Sequence, residues 1–378
     1  MGQGTTRRWM TAGLLGAVLV GSVPANWSTI PVFASTESKA YATSADAVQQ
    51  EMAAGLKARA TSMTIKYKGP TKQLEKLLKQ AMEGALESDP YTKYVVEGYA
   101  YTWRGTAGMA KIHLNVDYRE TAENTRFVDQ KAAEILKRII TPDMNSHQRV
   151  KAIHDYVVQN LEYDKELKKY TAYEALKSGQ AVCQGYTLLT YKLLKGAGIE
   201  NRIVEGVAGG QLHAWNLVRL ENRWYHLDTT WNDPLSAPKD GIRYEYYLQT
   251  DAQMRKDHHW TASRYPAAAT LYREVVRGLA NRGGADAEAY RNLERQLGFE
   301  LYDPDSAVRT AAELKEKVRQ ELRAGGLTVT VRYAGAEDLL VENLGTLYDL
   351  RSIDHIQYFA EPLDGTGDLR VEIHWETD

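Results

Sequence analysis

Residues 179–231 constrain the fold more than any other stretch of this chain. They open with Gly179-Gln180-Ala181-Val182-Cys183-Gln184-Gly185-Tyr186, continue through Leu188, Leu189, Tyr191, Leu193 and Leu194, and close at Gly196-Ala197-Gly198. That apolar run bounded by glycine predicts a buried helix with Cys183 at its start. Strand-like runs follow at 199–208, 213–220 and 223–231, separated by Gly209-Gly210-Gln211 and by Glu221-Asn222. A helix followed by an antiparallel hairpin predicts a mixed α+β domain.

The same stretch holds chemistry. A helix N-terminus presents unpaired backbone N–H groups and partial positive charge, which stabilise a thiolate and help hold an oxyanion. An unpaired cysteine is in general just a small buried hydrophobe, so position has to carry the case for Cys183. Gly185 in the first turn costs about 1 kcal/mol of helix stability against Ala and leaves space beside the thiol that a substrate backbone could use, or that packing could fill. If the hairpin turns at Glu221-Asn222, Trp215 faces Asp228 and His213 faces Thr230. His213 and Asp228 then lie on one face as diagonal neighbours, while a one-residue slip would separate them. A carboxylate can then hold one imidazole nitrogen while the other faces the thiol. His226 and Asp233 are the nearby competitors, but His226 shares a strand with Asp228 and so cannot meet it across the hairpin.

Ala-Val-Cys-Gln-Gly-Tyr on a helix, then Gly-Gly-Gln-Leu-His-Ala-Trp-Asn, then Arg-Trp-Tyr-His-Leu-Asp-Thr-Thr-Trp-Asn-Asp-Pro, resembles the core of the transglutaminase-like superfamily over about 127–234. The resemblance implies a papain-like α+β fold, with the Cys-bearing helix packed on an antiparallel sheet. It implies Cys183 as nucleophile, His213 as base and Asp228 as the orienting carboxylate. Substrate contacts are expected at Gln184, Gly185 and Trp215. For the oxyanion, the backbone N–H of Cys183 is preferred, with Gln180, Gln184 and Tyr173 as side-chain candidates. No cofactor is expected, and no calcium loop is present in the sequence. The substrate expected is a protein or peptide amide. Superfamily members of this kind include cross-linkers, deamidases and peptidases, and the contrasting expectation is a non-enzymatic surface module that keeps the fold.

Elsewhere the readings are coarser. Arg7-Arg8 precede an apolar stretch at 9–23, and Val32-Phe33-Ala34 precede Ser35, a pattern that predicts a cleaved signal peptide over 1–34 and a secreted or cell-wall-associated product. Export gives weight to the cysteine count: a secreted chain built on disulfides carries several cysteines, and this one has 1. A formal net charge of −2 without a basic block gives no footprint for nucleic acid. Residues 35–61 read as a linker or short helix capped by Ser44, and 62–122 as a β-α-β-β module. The catalytic domain is expected at 123–260, including a helix N-capped by Ser146 with His154 beside its buried stripe of Val150, Ile153, Val157 and Leu161. A helical linker at 261–324 leads to a second β-α-β-β module at 325–378, resembling the first in element order. His154 reads as a packed or solvated residue, and His258-His259 as a surface feature rather than a metal site, since adjacent histidines point apart.

Overall fold

A computed structural model describes residues 2–4, 35–233, 242–350 and 353–376. The signal-peptide reading falls almost wholly on residues outside these. Contacts divide the chain into two compact units, 1–272 and 273–378. Among the described residues, no helix is long and apolar enough to cross a membrane.

The first unit begins with strand Ser35–Ala42, helix Ala45–Lys57 and strand Ser62–Lys68, followed by helix Leu74–Glu87 and strands Val96–Gly105 and Met109–Tyr118. Ser44 caps the first helix by accepting a hydrogen bond from the Ala47 amide. Residues 35–61 thus supply a strand and a helix to the module. In sheet order the strands run 2–4, 96–105, 109–118, 62–68 and 35–42, with the last pair parallel and the others antiparallel. Met63, Ile65 and Tyr67 point inward at strand period and meet Leu74, Leu78 and Met82 from the helix, forming one apolar core.

The rest of this unit packs helices around a second sheet. Helix Ser146–Asn160 is capped by Asn145 rather than Ser146, because Asn145 and Gln148 exchange side-chain and backbone hydrogen bonds in a capping box that fixes the start one residue earlier. The expected stripe of Val150, Ile153, Val157 and Leu161 is buried. Helix Cys183–Gly196 is buried along most of its length, as its nearly continuous apolar sequence requires. It lies on a four-stranded antiparallel sheet in the order 223–227, 211–220, 201–208 and 258–260. Mixed helix with antiparallel sheet is therefore the fold class of the core.

The second unit, taken by itself, contains strand Ala307–Val308, helix Ala311–Arg323, strand Thr328–Tyr333, helix Glu337–Gly345 and strands His355–Pro362 and Leu369–Glu376. Its sheet order is 355–362, 369–376, 328–333 and 307–308, again with only the last pair parallel. The two ends of the chain share one topology, β-α-β-α-β-β, each one β-α longer than the β-α-β-β order suggests. Helix Ala311–Arg323, expected as linker, buries Leu314 and Val318 in this module's core.

Candidate active site

Three local devices bring the thiol to the helix start. Gly179 takes the left-handed conformation that ends helix Ala172–Ser178. Gln180–Ala181 then pair in parallel with Glu162–Tyr163, and Val182 is extended as the N-cap. Cys183 is the first helical residue and is 3% exposed. Its position puts it at the helix end whose leading amides carry partial positive charge. The Thr187 hydroxyl donates to the Ala214 carbonyl at 2.8 Å, and Asn216 Nδ2 donates to the Thr187 carbonyl at 3.3 Å. Those bonds pin the helix, one turn beyond the thiol, to the strand that carries His213.

The hairpin turns where its sequence requires. Glu221 and Asn222 both have positive φ, 48° and 61°, as a two-residue primed turn needs. The register pairs Arg223 with Leu220 and Leu227 with Asn216, so continuing it sets 228 against 215 and 230 against 213. The strand ends at Leu227 instead of running to 231, because the Asp228 carboxylate captures the chain that follows. Its Oδ1 accepts from the Thr230 amide at 2.9 Å and the Trp231 amide at 3.1 Å, which bends the backbone away from the sheet. Its Oδ2 lies 2.5 Å from His213 Nε2. With Nε2 on Asp228, Nδ1 is the ring nitrogen left for the thiol, and the Cys183 side chain is among the groups that act on this ring.

Electrostatics follow from this arrangement. Burial by itself would push the His213 ring down, but the Asp228 carboxylate outweighs it and, with the Cys183 side chain, pushes the ring up to about 10. Burial would raise Asp228, yet the facing His213, with help from His258, holds its carboxyl well below the usual range. An anionic carboxylate that stabilises positive charge on the ring favours transfer of a thiol proton to imidazole.

The other sequence candidates have different partners. His226 is buried and accepts from Trp215 Nε1 at 2.8 Å through Nδ1, while its Nε2 faces Asp251 at 2.8 Å. Asp233 accepts a 2.5 Å hydrogen bond from the Tyr186 hydroxyl. His154 is packed and fully buried, between Asp155 at 2.9 Å and Asn232 Nδ2 at 2.9 Å. Gln184 is buried and donates to the Tyr94 carbonyl at 3.0 Å. The open space expected at Gly185 is filled: a Cβ there would lie 2.5 Å from Ala181 Cβ and 3.2 Å from the Thr171 carbonyl oxygen, so its glycine serves packing. Trp215 is buried beneath His213, with ring centroids 5.8 Å apart and an interplanar angle of 20°. Gln180 is hydrogen-bonded to Lys169, and Tyr173 packs edge-on against Phe127.

Two residues escaped the sequence reading. His258 is not a surface residue: it is completely buried, with Nε2 3.1 Å from Asp228 Oδ2, while His259 points outward. Edge strand His258–Trp260 pairs with 201–208, and period-2 alternation turns His258 inward. Tyr163, half-buried on the strand beside Gln180–Ala181, lies close enough to Cys183 that burial first, and then the thiol, push its phenol up to about 12. His213, Asp228 and His258 also form a cluster with the donor types for a metal ion. Their contacting atoms sit 2.5 and 3.1 Å apart on one carboxylate oxygen. Two ligands of a tetrahedral zinc at about 2.05 Å would be about 3.3 Å apart, so the spacing is that of shared protons.

Residues 133–229 match the Transglutaminase-like superfamily, a span that contains Cys183, His213 and Asp228 and stops short of His258. The chain is 22% identical over 191 residues to kyphoscoliosis peptidase of Homo sapiens and 25% identical over 187 residues to that of Mus musculus. Each alignment covers 43% of this chain and 28% of the relative, so the chain spans little more than a quarter of the curated relatives it matches. A crystal structure of a TGase aligns at 16% identity with a TM-score of 0.28, covering 48% of this chain and 55% of that one.

Proposed function

Starting from a transglutaminase-like core at residues 133–229, we propose that the chain is a cysteine enzyme acting on protein or peptide amides through a thioester on Cys183. The observation that carries this reading is the buried His213–Asp228 pair, 2.5 Å apart, on the strand to which the helix beginning at the buried Cys183 is pinned. In the proposed reaction His213 takes the thiol proton and the sulfur attacks the amide carbonyl, with the developing oxyanion held by the N-terminal amides of the cysteine helix. The imidazolium then gives its proton to the departing ammonia or amine as the C–N bond breaks, leaving the acyl group on sulfur. Water or a second amine closes the cycle, regenerating the thiol. Asp228 keeps its proton off throughout and holds the ring in the tautomer and orientation the sulfur needs.

The N-terminal sequence supports export, so the substrate we propose is an extracellular or cell-envelope protein. The test is product analysis with a glutamine-rich protein and a labelled primary amine. Label incorporation identifies acyl transfer; ammonia or new N-termini without label identify hydrolysis. Absence of all three products, with the Cys183→Ala variant as background, overturns the enzymatic reading in favour of a binding module.

A further inference from the structure

We propose that His258 is a positioning residue of this site, clamping the Asp228 carboxylate from the side opposite His213 so that the His213 ring stays aimed at the thiol. The inference rests on the catalytic reading above, and His258 lies outside the span that matches the superfamily. Asp228 Oδ2 is shared between His213 Nε2 at 2.5 Å and His258 Nε2 at 3.1 Å, while Oδ1 is occupied by the two backbone amides. Two amides and two rings therefore meet the carboxylate, and removing His258 releases one of the two bonds on the oxygen that holds the base.

His258 is itself fixed. Its Nδ1 is 2.5 Å from Asp257 Oδ1, and Asp257 Oδ2 accepts from the Tyr246 hydroxyl at 2.6 Å. A continuous polar chain thus runs Tyr246, Asp257, His258, Asp228, His213. Rings of Trp231, Trp215 and Tyr246 lie 4.7, 5.1 and 5.3 Å from the His258 ring, enclosing it in an apolar cage where a hydrogen bond to a carboxylate is little weakened by water. The backbone is shaped to admit it: at Gly206, which pairs with both His213 and Trp260, a Cβ would fall 2.2 Å from the His259 carbonyl oxygen and 2.8 Å from the Trp215 ring. Glycine there lets the edge strand approach closely enough to deliver His258. A merely structural histidine in such a cage would need no contact with the carboxylate that orients the base.

The test compares His258→Phe, which keeps a ring in the cage without a donor, with His258→Gln, which keeps an N–H donor. The readout is the rate of Cys183 alkylation by iodoacetamide at pH 6.5, with His213→Ala as reference. His258→Phe is expected to slow alkylation about tenfold to a hundredfold, and His258→Gln to return it to within about threefold of wild type, the range typical of residues that orient a reacting group. Asp257→Asn, which keeps all three rings of the cage, should slow it in the same direction and serves if His258→Phe does not fold. Alkylation at the wild-type rate in both His258→Phe and Asp257→Asn, or equal slowing in the Phe and Gln variants, overturns the proposal while leaving the catalytic reading intact. An unchanged rate in His213→Ala would instead overturn the catalytic reading, and this inference with it.

Discussion

Two buried histidines, His213 and His226, lie on the same hairpin with Trp215 between them and each faces a carboxylate, yet the two pairs have opposite properties. His213 beside Asp228 is pushed up to about 10, whereas His226 beside Asp251 is lowered, chiefly by burial. The difference lies at the second nitrogen of each ring. Trp215 donates its indole N–H to His226 Nδ1, so that nitrogen is already an acceptor and the ring is held neutral with its one N–H on Asp251. The His213 ring is acted on instead by the Cys183 side chain, a group that can surrender a proton. Asp228 is also only 1% exposed and anchored by two amides, while Asp251 is partly open to solvent. His154 repeats the neutral case, with Asn232 donating to its second nitrogen, and it too is lowered by burial. A His–Asp pair therefore marks a reactive site only when the far nitrogen is left for chemistry.

That contrast can be attacked by substitution. The largest expected effect is Cys183→Ala, which should reduce amide turnover to the uncatalysed background in the product assay. Asp228→Asn comes next: a neutral amide cannot hold the His213 tautomer, so turnover should fall by about 10³- to 10⁴-fold with the protein still folded by circular dichroism. His226→Phe should do the reverse, leaving turnover within about threefold while destabilising the fold by about 1–3 kcal/mol in urea titration, since the Trp215 N–H loses its acceptor. If His226→Phe cuts turnover as deeply as Asp228→Asn, the distinction between the pairs fails. Smaller again is Gly185→Ala, expected to cost about 1–3 kcal/mol through overpacking against Ala181.

The pairs also predict two separate pH limbs of stability. His213 has its folded value raised above the unfolded one of about 6.5, so its contribution is complete below that pH and is lost as pH rises through about 10. His226, His154 and His147 are lowered, the last to about 4, so the unfolded chain binds more protons as pH falls below about 6.5 and stability drops there. Melting temperatures across pH 4 to 10 should show both limbs, with His213→Gln flattening the alkaline one and leaving the acid one in place.

Much of the site was legible because its parts are local. The helix carrying Cys183 reads directly from apolar spacing, and the turn at Glu221-Asn222 fixes a register in which His213 and Asp228 share a face. What the sequence concealed depends on long-range pairing. His258 reaches Asp228 only because a three-residue edge strand docks on 201–208, and so short a strand has no period of its own to detect. The end of the strand at Leu227 depends on Asp228 choosing backbone amides over the ladder, a competition that strand propensity does not encode. At the chain ends, strands 35–42 and 307–308 join their sheets by parallel pairing, which no hairpin turn announces, so the modules read as shorter than they are.

The central claim is that His213 activates Cys183, and the most direct measurement is the alkylation rate of Cys183 by iodoacetamide at pH 6.5 in wild type and in His213→Ala. The account predicts wild type at least about tenfold faster, as expected for a thiol paired with imidazole. Equal rates in the two folded proteins would contradict it.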